Sequence, residues 1–153
     1  MIRLFLIFNK QGTTRLVRWY AFESARKRRA AIRDITATVL TRSSKFCNIV
    51  EWQGSQIVYK RYASLFFVCV TDPQDNQLAM LELIYMYVRT LDTYFTNVCE
   101  LDIIFHYVEV QEILDELLLA GEQTETSVGA LLDDVAEINI LEDESTTSPR
   151  ELR

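Results

Sequence analysis

Histidine is nearly absent from this chain, with only His106 among 153 residues. Hydrolytic or metal-dependent catalysis needs convergent His, Cys or carboxylate groups, and a single histidine between Phe105 and Tyr107 reads as a packed or surface side chain. Cysteine is scarce too. Cys47, Cys69 and Cys99 are odd in number, at spacings that fit neither a zinc site nor a disulfide framework. That usage points to a reducing, cytosolic compartment, and Cys69, inside an apolar run, reads as a small buried hydrophobe. The four glycines build no phosphate cradle, and HExxH and CxxC are both missing. No catalytic residue, cofactor or metal is therefore expected. The adjacent acids Asp115-Glu116 diverge by about 100° on a helix and read as solvated. No apolar run approaches the ~18 residues of a membrane span. The apolar opening from Met1 to Phe8 lacks a basic leader and a small-residue cleavage site, so it reads as a first strand, not a signal peptide.

What is present is an ordinary globular composition, 49% hydrophobic and 25% charged with two prolines. The length suits one domain, since domains cluster at ~100–150 residues. Net charge is −6, but unevenly spread: residues 1–99 hold 14 Lys and Arg against 7 Asp and Glu, and residues 100–153 hold 2 against 15. The polarity fits either a charged partner or plain solvated surface. Nucleic-acid binding would need a sustained basic surface, which a sequence pI of about 4.8 opposes.

Ile2 to Phe8 is β-branched and aromatic and ends at Asn9-Lys10-Gln11-Gly12, whose glycine supplies the positive φ that a hairpin requires. A second strand is predicted from Thr14 to Phe22, with Leu16, Trp19 and Phe22 as its apolar surface. Ser24 caps a helix to about Leu40, with Ala31, Ile32, Ile35 and Val39 as the buried stripe. Its first turns carry Arg26-Lys27-Arg28-Arg29, each opposing the helix dipole by ~0.3–1 kcal/mol if exposed. The cluster is either a solvated face or a surface for anionic lipid or an acidic partner. Asn48 to Trp52 and Gln56 to Tyr59 form a hairpin around Gln53-Gly54-Ser55. Leu65 to Val70 shows no alternation, so both its faces must be covered, as at the centre of a sheet. The corner Lys60-Arg61-Tyr62-Ala63-Ser64 is expected at the surface, with recognition beside it.

Asp75 or Asn76 caps the longest helix, whose stripe is predicted as Leu78, Leu81, Tyr85, Val88, Leu91, Phe95 and Val98. Periodicity does not decide the type of Leu101 to Tyr107. Val110, Ile113, Leu114, Leu117 and Leu118 mark another helix, with Gly121 as its expected stop. A last amphipathic segment carries Val128, Leu131, Leu132, Val135 and Ile138. The order is strand, strand, helix, three strands, then helices, an α/β chain whose five-stranded antiparallel sheet has helices on both faces. The domain is expected over 1–140, with an acidic tail at 141–153 that is flexible or ordered by a partner.

Ile57-Val58-Tyr59-Lys60, four further residues, then Leu65-Phe66-Phe67 resembles the signature of the small (sigma) subunits of clathrin adaptor complexes. In that family an aliphatic pair, Tyr and a basic residue precede Leu-Tyr-Phe, and Phe66 departs from the Tyr. Gly12, Arg15, Trp19-Tyr20, Tyr62-Ala63, Asp75-Asn76, Leu81-Glu82, Tyr94-Phe95, Asn97 to Asp102 and Asp115-Glu116 through Ala120-Gly121-Glu122 keep the family's order and spacing, over roughly residues 1–128. The resemblance implies a longin-like fold, a helix over Leu101 to Tyr107, and no enzymatic activity or nucleic-acid partner. It also implies a heterotetramer of two large chains, one medium (mu) chain and this small chain.

The family helps bind sorting signals in which an acidic residue lies upstream of Leu-Leu or Leu-Ile. Such a peptide needs an apolar pocket for two aliphatic side chains and a cation for the acid. By position Ala63, Leu65, Val88, Val98, Leu101 and Ile103 match the family's dileucine pocket, with Tyr62 and Asn97 at its edge and Arg15 as the cation. Each apolar residue also has a plain core reading, and Arg15 that of a surface arginine. The chain looks closest to the small subunit of the trans-Golgi and endosomal adaptor. That form implies gamma-type and beta-type large chains and a location on the cytosolic face of those membranes and of coated vesicles, with clathrin and membrane reached through the complex. The alternative is the plasma-membrane endocytic adaptor, with an alpha-type large chain and typically no such tail. A longin domain of a SNARE or trafficking regulator would call for a heptad region or a lipidated cysteine, which the C-terminus lacks.

Overall fold

The computed structural model describes residues 1–42 and 48–123, with side chains described through Leu119. Strand β1 (Ile2–Asn9) pairs with β2 (Thr14–Trp19) across the Asn9 to Gly12 tip. Helix α1 (Ala25–Thr41) follows, then β3 (Ile49–Trp52), β4 (Ser55–Tyr62) and β5 (Leu65–Thr71). The chain closes its described part with α2 (Gln77–Phe95), α3 (Glu100–Phe105) and α4 (Tyr107–Gln123). The five strands lie in the order β2-β1-β5-β4-β3, all neighbours antiparallel. The unalternating run at Leu65 thus forms the central strand, and the apolar opening run lies beside it.

Strand alternation divides the core in two. Phe5, Ile7, Val58, Leu65, Phe67 and Cys69 face α2, α3 and α4, while Leu4, Leu6, Phe8, Ile57, Tyr59, Val68 and Val70 face Ile35 and Val39 of α1. Tyr87 is the keystone of the larger half. Its ring meets Phe5 and Phe67 edge-on at centroid distances of 5.4 and 6.0 Å, and its hydroxyl donates to the Val110 carbonyl at 2.8 Å. Such aromatic pairs add ~0.5–1.5 kcal/mol each beyond the burial of their area. One residue thereby ties the sheet, α2 and α4 together. Ser24 and Asn76 cap α1 and α2 with their side chains, as their sequence positions predict.

Several boundaries differ from expectation. β2 stops at Trp19, because Tyr20 and Ala21 both donate to the Arg3 carbonyl and turn the chain away, leaving Phe22 95% exposed. β4 runs on to Tyr62, so the five-residue corner shrinks to Ala63-Ser64, with Ala63 left-handed at φ 53°. In α2 the buried face is Ile84, Tyr87, Val88, Thr90, Leu91, Tyr94 and Phe95, and Leu78 and Tyr85 face solvent. The helix is apolar around much of its circumference, so its spacing fits more than one register, and packing on the sheet selects one. The segment from Glu100 to Phe105 is helical. α4 passes Gly121 instead of stopping there. A glycine costs a helix interior about 1 kcal/mol relative to Ala, less than the packing gained by Val110, Ile113, Leu114, Leu117 and Leu118. The segment 128–138, the boundary near 140 and the tail 141–153 lie outside the described residues, as does Cys47.

Candidate functional site

The predicted residues converge at one end of the sheet. Tyr62 and Ala63 sit at the β4–β5 turn, Asn97 and Val98 in the α2–α3 connection, Leu101 and Ile103 on α3, Val88 on α2 and Arg15 on β2. Leu65, Val88, Val98 and Ile103 belong to one buried cluster, with Tyr62 packed against it. Leu101 is 57% exposed, and Ala63 and Asn97 are exposed as well. The described cavities open elsewhere: one of 560 Å³ between α1 and the sheet beside Trp19 and Trp52, a second between α1 and the Gly12 tip, and a third beside the β3–β4 turn. Leu65, Val88, Val98 and Ile103 are themselves all buried in the chain.

Two polar clamps hold this end together, and the sequence reading of the site named neither of the carboxylates, Asp92 and Glu100, at their centres. In the first, Asp92 Oδ1 accepts from the Tyr62 hydroxyl at 2.8 Å and from the Val98 amide at 3.0 Å. It fixes a connection in which Thr96 and Asn97 are both left-handed, at φ 51° and 72°, a conformation unfavourable by ~1–2 kcal/mol for a residue with a Cβ. The same contact raises the proton affinity of the Tyr62 phenol, through the hydrogen bond to Asp92 and then desolvation. In the second clamp, Arg15 Nε donates to Glu100 Oε1 at 2.7 Å, and Asn9 Nδ2 donates to the same oxygen at 2.8 Å. The other end of the Asn9 amide accepts from Gln11 and Thr13 and shapes the hairpin tip. Arg15 first, then Asn9, hold the Glu100 carboxyl below its usual range. Glu100 opens α3, where a carboxylate also suits the helix dipole. Asp102, fully buried, accepts from the Cys99 amide and thiol and completes the cap of the same helix.

Asp115, expected in solvent, is instead half-buried and engaged. It takes a two-pronged contact from Arg18 at 3.1 and 3.0 Å and accepts from the Tyr20 hydroxyl at 2.9 Å. These partners lie 97 and 95 positions away, beyond the reach of any local pattern. Among the described residues no group of three His, Cys, Asp or Glu could hold a metal ion.

An antiparallel β2-β1-β5-β4-β3 sheet with one helix on one face and three on the other, ending in an apolar cluster between two polar clamps, defines a longin-like subunit. The chain matches the clathrin adaptor complex small chain family over residues 1–142 and belongs to it. It is thus a small subunit of an adaptor complex and not an enzyme. It is 44% identical to the human AP-1 complex subunit sigma-1A over 150 residues, covering 98% of this chain and 94% of that one. The AP-1 complex subunit sigma-1 of Schizosaccharomyces pombe is 49% identical over 126 residues (82% and 78%), and the AP-1 complex subunit sigma-2 of Arabidopsis thaliana 48% over 127 (83% and 78%). Among structures, a chain of a homology model of the full-length AP-3 complex in a stretched open conformation superposes with a TM-score of 0.72 at 31% identity, covering 95% of this chain and 97% of that chain.

Proposed function

We propose that this chain is the small subunit of an AP-1-type heterotetramer, with gamma-type and beta-type large chains and a medium chain, and that it binds acidic dileucine signals at trans-Golgi and endosomal membranes. The choice of complex rests on relatives from animal, yeast and plant that all carry the AP-1 sigma name at 44–49% identity. Affinity capture from cytosol tests it: a gamma-type large chain is expected, and an alpha-type chain would move the subunit to the endocytic adaptor.

The signal-binding reading is supported by the convergence of Arg15, Tyr62, Ala63, Leu65, Val88, Asn97, Val98, Leu101 and Ile103 at one end of the fold. Exposed Leu101 and Ala63 are its accessible apolar members. The signal's aliphatic side chains reach Val88, Val98 and Ile103 when the left-handed Thr96-Asn97 connection yields. Val98→Ser in the assembled complex should abolish binding of a dileucine peptide, by placing a hydroxyl where an apolar contact is needed. Tyrosine-based signals, which the family reads on its medium chain, should bind unchanged. Arg15→Ser should weaken the acidic peptide by about 1 kcal/mol, the scale of a part-exposed charged contact. Loss of both classes of signal in Val98→Ser would mean a misfolded complex and would remove the pocket.

A further inference from the structure

Arg15 is not a waiting cation. Its Nε–H is already committed to Glu100 at 2.7 Å, and both side chains are only about a quarter exposed, 29% and 25%. Asn9 pins the same carboxylate oxygen from the other side, so Glu100 is fixed against the guanidinium by two donors. A carboxylate that approaches Arg15 from solution therefore meets a neutralised pair. It must either share the guanidinium with a like charge or displace Glu100 from Asn9 and Arg15, and each route opposes binding.

Resting on the dileucine reading above, we propose that Glu100 is a specificity-determining residue, a built-in competitor that occupies Arg15 and mutes the site's preference for an acidic residue upstream of the two leucines. Arg15 remains the group that recognises the acid, while Glu100 sets how much the acid contributes. The site consequently accepts dileucine peptides over a range of upstream charge, and the apolar contacts carry most of the affinity.

Glu100→Gln separates this role from a purely structural one. The amide keeps an oxygen at the Oε1 position, so Asn9 and Arg15 retain an acceptor and α3 keeps its first residue, while the competing charge is gone. The experiment titrates two synthetic peptides, Glu-Ser-Ser-Ser-Leu-Leu and Ala-Ser-Ser-Ser-Leu-Leu with common flanks, onto purified wild-type and Glu100→Gln complexes at low salt. The expected result is that the ratio of affinities, Glu peptide over Ala peptide, rises about threefold to tenfold in Glu100→Gln. Adding Arg15→Gln to Glu100→Gln should return the ratio to near one, because the gain acts through the guanidinium. An unchanged ratio overturns the proposal. So does a lower one, which would make Glu100 a positioning residue that aims Arg15. If neither peptide binds wild type and Val98→Ser changes nothing, the dileucine reading fails and this inference falls with it. Binding without a change of ratio removes the inference alone.

Discussion

Tyr20 shows how a single residue couples chemistry to folding. Its ring lies beside the Arg18 guanidinium, and its hydroxyl donates to Asp115 on α4. Burial first, then the Asp115 carboxylate, push the phenol well above its ordinary value, more than offsetting the opposing pull of Arg18. The folded value lies above the unfolded one, ~10 for an unperturbed tyrosine. The stabilisation is therefore complete below that pH and is lost as pH rises toward the folded value. Subtracting the alkaline absorbance titration of Tyr20→Phe from that of wild type should isolate a phenol that ionises later than free tyrosine. A difference curve centred near pH 10 would show that the triad does not persist in solution.

At the scale of elements, the hairpin tip is the contact most easily tested. Gly12 has φ 84°, and a Cβ there would lie 3.3 Å from Leu40 Cδ1 and 3.4 Å from Thr36 Cγ2, so the tip rests directly on α1. Gly54 has a similar φ of 74°, but a Cβ there would meet nothing within 4 Å. Gly54→Ala should cost the left-handed penalty alone, ~1 kcal/mol, and Gly12→Ala should cost more, ~2 kcal/mol, because Leu40 must also give way. Urea unfolding of the two variants at low micromolar concentration gives the comparison; equal midpoints would mean that the tip lifts freely from α1.

This contrast also marks what could be read from the sequence. Turns, caps and strands announce themselves locally, so Gly12, Ser24, Asn76 and the apolar run at Leu65 placed the sheet and the helix starts. The face of α2 was less legible, because a helix apolar on several sides leaves the choice among Leu78, Tyr85 and Ile84 to the sheet. The polar partners were not legible at all. Glu100 lies 85 positions from Arg15, and Asp92 lies 30 from Tyr62, and only the closed fold brings each pair together. The family resemblance named the candidate apolar residues; the carboxylates that hold Arg15 and Tyr62 are brought to them by the fold alone.

On the whole molecule, half of the ten large apolar side chains exposed among the described residues fall in one short stretch. Leu101, Ile104, Phe105, Tyr107 and Val108 are all exposed within eight consecutive residues across the α3–α4 junction, Phe105 at 71%. No helix among the described residues is long and apolar enough to cross a membrane, so a bilayer span does not account for this surface. Exposed patches of this kind mark association surfaces, and obligate partners bury ~2,000 Å² or more in total. We propose that a large adaptor chain covers it. The isolated chain should then self-associate at high concentration, and co-expression with the large chain should yield a monodisperse complex. Phe105→Ser with Val108→Ser should reduce self-association of the isolated chain without lowering its unfolding free energy by more than ~1 kcal/mol, since both side chains start in solvent. The same pair of changes should weaken assembly with the large chain. Sedimentation of each form separates the outcomes. A wild-type chain that stays monomeric at about 100 µM, where even a weak interface with a Kd near 10 µM would be mostly occupied, would show that this surface is simply solvated. Variants that still assemble as wild type would place the large chain on another face.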